Sequence, residues 1–289
     1  MRRLVVAAAM LVALLIPAAS ANAAPTGEFA NFGKCPLTNP ALEACFYSAS
    51  IGGEVTTGAK TVPVKNPQLL QGGADYVGGD ILGPVNILPA SEGDTLSKTP
   101  QAVPGGLLGV TAPTWWPKFL QDLFNETINN GFTGVTATVE LAGPVSAIKL
   151  NVAAAVVSQG TALEMPVKIK LGNPFLGNNC YIGSNSKPIV WKFTTGTTSP
   201  PPPNTPITGS PGSVAVAESG KILRINAAKL VDNSFATPGA SGCGGLFSFL
   251  IDPFVNSIVG VPAAAGKNTA ILEDNIEFAD PVAVAASNP

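Results

Sequence analysis

The chain reads as mainly β, an antiparallel β-sandwich or distorted barrel with two packed apolar helical segments. Three observations point there. Short β-rich runs alternate with Gly and Pro turns along most of the length, with 31 Gly and 27 Pro in 289 residues. Apolar residues make up 46% and charged residues only 12%, which suits a folded core better than a disordered chain. Only two segments carry helix-like apolar patterning.

The first element is a leader. Arg2 and Arg3 precede an uninterrupted apolar run, Leu4 to Ile16, too short to be a comfortable membrane span. Pro17 breaks it, and Ala21-Asn22-Ala23 has the small-x-small form that a signal peptidase accepts, so cleavage is expected after Ala23. Residues 24–289 are then expected to form a single β-rich secreted domain, either extracellular or held at the cell surface non-covalently. Its 14 basic and 18 acidic residues give a formal charge of −4. That argues against nucleic acid, whose phosphates call for basic patches, and against adsorption to anionic lipid. The leader is the only apolar run of its kind, so an integral membrane protein is not expected.

The four cysteines, Cys35, Cys45, Cys180 and Cys243, all follow the leader. An even count in an exported chain most simply means two disulfides, and three pairings are possible. The sequence-nearest pairing is Cys35–Cys45 with Cys180–Cys243. Loop-closure entropy would make the first worth roughly 3 kcal/mol and the second roughly 4.

Residues 24–50 predict a tight loop or one helical turn around "CPLTNPALEAC", and "GGEVTTGAKTVPVKNPQLLQGG" predicts one or two short strands. Residues 83–114 show almost no periodicity and read as a long surface loop. The clearest helix is Thr114–Asn130. Trp116, Phe119, Leu120, Leu123, Phe124 and Ile128 form one apolar face expected to pack on the core, with Thr114 as cap and Pro117 in the first turn. Trp115 is off that stripe and is the candidate surface contact.

Residues 133–171, with "TGVTATVEL", "PVSAIKLNVAAAVV" and "LEMPVKIKL", predict a meander, and "KPIVWKFTT" continues it. "GNPFLGNNCYIGSNSKPI", residues 172–189, is turn-rich around Cys180. "SPPPPNTPITGSPG" within the long loop 197–213 must be extended and polyproline-like. It lies between Cys180 and Cys243, so pairing of those two would make it an excursion within one domain. "GKILRINAAKLV" returns to strand. "LFSFLIDPFVNSIVG" is the second apolar segment, partly helical and interrupted at Pro253, and "NTAILEDNIEFA" is the last strand.

The chain has no histidine, which removes Ser-His-Asp and Cys-His nucleophiles, His-ligated metals and the usual general base near neutral pH. There is no C-x-x-C, P-loop or G-x-G-x-x-G. Ser184–Lys187 matches S-x-x-K, but so does Ser146–Lys149 within an apparent strand, and no K-T-G follows. Asp75 with Asp80, and Glu273 and Asp274 with Glu277, are the densest carboxylates. Neither group has EF-hand spacing, and a turn for the first and a solvent-facing strand edge for the second are the expected readings. A carboxylate pair could also run glycoside hydrolysis, though its separation cannot be read from sequence. No catalytic, metal or cofactor site is assigned.

The stretches "CPLTNPALEACFYSASIGGEV", "VKIKLGNPFLGNNCYIGS", "KPIVWKFTTG", "VDNSFATPGASGCGG" and "AAGKNTAILE" together span most of residues 30–278. In them the chain resembles a group of exported proteins of unknown function common in actinobacteria. The resemblance implies an exported β-rich protein with Cys180 and Cys243 in matching contexts, and it carries over no activity or catalytic residue. Three functions are therefore expected in turn: a non-catalytic secreted or cell-envelope structural or interaction protein, a lipid- or glycan-binding module with an apolar cavity, and a histidine-free hydrolase.

Overall fold

The computed structural model describes residues 24–288; the expected leader and its cleavage at Ala23 lie outside them. Along the chain come β1 (Ala44–Thr57), β2 (Lys60–Pro63), β3 (Gln68–Tyr76), β4 (Pro84–Leu88), β5 (Gln101–Ala102) and α1 (Lys118–Asn129). Then come β6 (Thr136–Leu141), β7 (Lys149–Asn151), α2 (Val152–Val157), β8 (Leu163–Gly172), β9 (Tyr181–Ile182) and β10 (Ile189–Phe193). The last group is β11 (Ser213–Ala217), β12 (Ile222–Asp232), β13 (Ala240–Ser241), α3 (Ser248–Val259), β14 (Thr269–Ala279) and α4 (Pro281–Ala286).

The strands join in one 14-stranded antiparallel sheet with the order β11-β12-β14-β1-β3-β4-β7-β8-β6-β5. On β8 the edge opposite β6 and β7 takes β10 and β9, while β2 adds to β1. The sheet is not closed as a continuous barrel. It curls until the end of β10 meets β12 at a single bridge, where Thr194 and Val231 exchange backbone hydrogen bonds of 3.0 and 2.9 Å.

Alternation explains the inner wall. On β8, Leu163, Met165, Val167, Ile169 and Leu171 are all buried and the residues between them are not. Ile189, Trp191 and Phe193 do the same on β10. A smaller apolar cluster on the other side of β1 and β14 gathers Phe32, Ile222 and Val284 around Cys35–Cys45. The second disulfide joins Cys180 to Cys243, which completes the nearest-neighbour pairing. Two disulfides are what an oxidising, extracellular environment maintains. Among the described residues no helix is long and apolar enough to cross a membrane.

Several local expectations change. The stretch read as loop at 83–114 contains β4, because Val85 and Ile87 alternate into the core between β3 and β7. Val152–Val157, read as β, is a short helix: Asn151 caps it by accepting from the Ala154 N–H at 2.9 Å. α1 starts at Lys118 with Pro117 before it, so Thr114 is not its cap. α3 runs through Pro253 without a break. The proline run folds back, with the Asn204 N–H donating to Gly266 O at 3.0 Å and Thr197 bridged to Thr208.

Candidate functional site

Inside the curl lies a cavity of about 110 Å³. β1, β3 and β14 form one wall, and β6, β8 and β10 the other. Its surface is mostly Val, Leu, Ile and Met side chains; Asp274 and Lys60 are the charged residues among those that line it. The lining follows β1 from Ser48 to Thr57, at most about 30 Å of strand at ~3.3 Å per residue. The lining therefore extends along the strand direction. The cavity is smaller than the apolar cavity of about 150 Å³ that admits benzene, so it can take the end of a hydrocarbon chain and not a bulky ring system.

Asp274 was expected on a solvent-facing edge; instead β14 is central in the sheet and Asp274 is 3% exposed. Its position is built by both neighbouring strands. On β1 the pairing shifts between Ser50, opposite Asp274, and Gly52; on β12 it shifts between Ile225 and Ala228, again opposite Asp274. Bulges bend strands and cluster beside functional sites. Just past the first one only glycine fits, because a Cβ on Gly53 would lie 2.0 Å from Ile271 O.

Ser48 Oγ donates to Asp274 Oδ2 at 3.3 Å, while Oδ1 is buried without a partner. Burial pushes this carboxyl up to about 6, and the nearby hydroxyls of Ser50 and Ser48 oppose the rise without cancelling it, although only Ser48 reaches hydrogen-bond geometry. The other unpartnered lining atom is Trp191 Nε1. The neighbouring polar groups are engaged: Gln101 Oε1 accepts the Lys65 and Asn66 N–H groups, and Gln68 Nε2 donates to Ser97. At the other end of the lined stretch of β1, Lys60 Nζ donates to Gly109 O at 2.9 Å.

The helices α1 and α3 flank that end. Val259, the last residue of α3, lines the cavity, and the segment around Gly106 and Gly109 packs between the ends of both helices, close to Ile128 and Ile258. The apolar stripe of α1 is only partly covered. Trp116 and Phe124 stack edge to face at 5.6 Å and are half-buried, but Phe119 and Leu123 are exposed. Trp115 is 81% exposed, and Phe132, Phe175, Leu246, Phe247 and Phe249 are exposed as well. Lys118 of α1 is paired to Asp122 at 2.9 Å.

The other sequence candidates do not assemble. Ser184 Oγ accepts the backbone N–H of Lys187 at 3.1 Å, which is turn chemistry. Lys149 turns to Glu164 at 3.4 Å. Asp75 accepts from Asn86, and Asp80 caps its own turn by accepting from the Leu82 N–H. Among the described residues no cluster of carboxylates and cysteines has the makings of a metal site. A wider polar groove of about 600 Å³ runs past Ser158, Thr161, Lys192 and Asp232, and no aromatic ring lines it. Compared with protein-family models, with curated proteins and with solved structures, the chain matches none.

Proposed function

We propose that this is a non-catalytic exported binding protein for a slender apolar ligand, a lipid chain in chemical class. The observation that carries the reading is the apolar cavity itself, enclosed between the two walls of the sheet and holding two unpartnered polar atoms. Ligand sites are typically concave and apolar, with a few placed polar groups. A lipid suits the site better than a glycan, because the hydroxyl-rich groove has no aromatic ring for a sugar to stack on.

The test is solvent extraction of the purified protein followed by mass spectrometry, beside titration with a fluorescent single-chain lipid. Wild type should yield or bind a chain stoichiometrically. Val62→Trp, which places an indole into the cavity lining, should not. Absence of any bound or titratable chain in wild type would overturn the reading.

A second reading, an interaction protein of the cell envelope, is favoured by the exposed apolar residues of α1, α3, Phe132 and Phe175. Sedimentation equilibrium and flotation with phosphatidylcholine vesicles test it. Self-association or vesicle binding that Phe119→Ser with Phe249→Ser abolishes would support this surface; a monomer that ignores vesicles would remove it.

A further inference from the structure

We infer that the cavity selects a chain whose inner end carries a hydrogen-bond donor, a hydroxyl or a primary amine, and that Asp274 is the specificity-determining acceptor. The inference rests on the cavity being a ligand site.

The geometry behind it is local. Asp274 lines the cavity, and its carboxylate has one oxygen held by Ser48 and the other buried with no donor. A buried acceptor left unpaired is costly, and a ligand that supplies the missing donor recovers that cost on binding. The lining near Asp274 offers Ser48 and Ser50 on β1 and Leu272 on β14. Lys60, the other charged residue of the lining, stands beyond Thr57 on β2, at the far end of the lined stretch of β1. An alkane end placed beside Asp274 would leave the oxygen orphaned. A carboxylate or phosphate end would add an acceptor to an acceptor and a negative charge to a carboxylate.

Trp191 Nε1 addresses a different part of the chain. Thr194, three residues on from Trp191 and just past β10, meets β12 at Val231 in an antiparallel bridge, whereas Asp274 meets β12 at Ala228, so the two orphan atoms are offset along the sheet.

The experiment uses the full disulfide-bonded chain, stripped of lipid, and four ligands with the same tail: decane, decan-1-ol, decylamine and decanoate. Each is titrated against a bound fluorescent single-chain probe at pH 7.5. The alcohol and the amine should displace it at least about tenfold more effectively than the alkane or the carboxylate. Asp274→Leu should bring the alcohol down to the alkane. If that variant does not fold, Asp274→Asn, close to isosteric, should abolish the advantage of the amine. Equal displacement by all four ligands would overturn the selectivity and leave the cavity reading standing. Preference for decanoate would overturn it too and move the polar anchor to Lys60. Failure of every chain to displace the probe, or of the probe to bind, would remove the reading on which the inference rests.

Discussion

Replacing Asp274 with Asn should make the ligand-free protein less sensitive to pH, and the size of the effect follows from burial. Unfolded, an Asp titrates near 3.9; folded, Asp274 titrates at about 6. Well below pH 4, at about pH 3 and lower, the group is protonated in both states and costs almost nothing. As pH rises, the unfolded chain ionises first, so folding loses stability progressively up to about pH 6 and by a constant amount above it. At about 1.4 kcal/mol per pH unit of separation the loss is about 3 kcal/mol. Asn does not titrate and should not show it. Any fixed cost of placing an amide beside Ser48 is the same at both pH values and cancels in the comparison. The assay is urea unfolding at pH 4 and pH 7.5 for both proteins, with disulfides intact. On going from pH 4 to 7.5, wild type should lose about 2.4 kcal/mol relative to Asp274→Asn, because the unfolded Asp is already about half ionised at pH 4. Asp232, also raised by burial, and Asp280, lowered by its hydrogen bond from Lys221, are common to both and drop out. Parallel pH profiles would refute the reasoning and mean that Asp274 is solvated.

Four further outcomes follow from the packing. Cys180→Ala with Cys243→Ala opens a 63-residue loop and should cost about 4 kcal/mol, against about 3 for the 10-residue Cys35–Cys45 loop, both read from denaturant midpoints. Asn268, fully buried, accepts from the Gly58 N–H and donates to the carbonyls of Phe235 and Ala264. Asn268→Leu should cost about 3 kcal/mol in the same assay by leaving those groups unpaired. Filling the whole 110 Å³ would recover at most about 2.6 kcal/mol at ~24 cal/mol per Å³; Ala137→Leu, filling part of it, should raise thermal stability and weaken chain binding together. Trp115→Ala, at an exposed site, should leave stability within about 0.5 kcal/mol.

The strands and helices were legible where a period was sustained. Five alternating apolar residues marked β8, and the i, i+3, i+4 spacing located α1 to within a few residues. β4 escaped because only Val85 and Ile87 alternate and a proline opens the strand. The apolar stripe of α1 implied a core contact, yet periodicity says that a face is apolar, not what covers it; Phe119 and Leu123 stay exposed. Asp274 was misread although a signal existed. It shares its phase with Ala270, Leu272 and Phe278, just as Ser48 and Ser50 share theirs with Ala44 and Phe46. A carboxylate in phase with a buried face is a stronger sign than the local density of acids that suggested an edge. That the two strands meet, across 226 residues, was beyond any local pattern.

The cost of this arrangement is itself an argument for a ligand. The ionised buried carboxyl weighs about 3 kcal/mol against folding, a large share of the roughly 5–15 kcal/mol that keeps a domain folded. It could be relieved by one near-isosteric substitution, Asp274→Asn. Yet the two bulges that frame Asp274 arise independently on β1 and β12 and converge on one residue of β14. Bulges bend strands and would help the sheet to curl, but curling alone does not require that both meet at a buried carboxylate. A protein that holds the polar end of a chain inside an apolar wall would need it, since recognition there depends on an acceptor left without a partner until the ligand arrives.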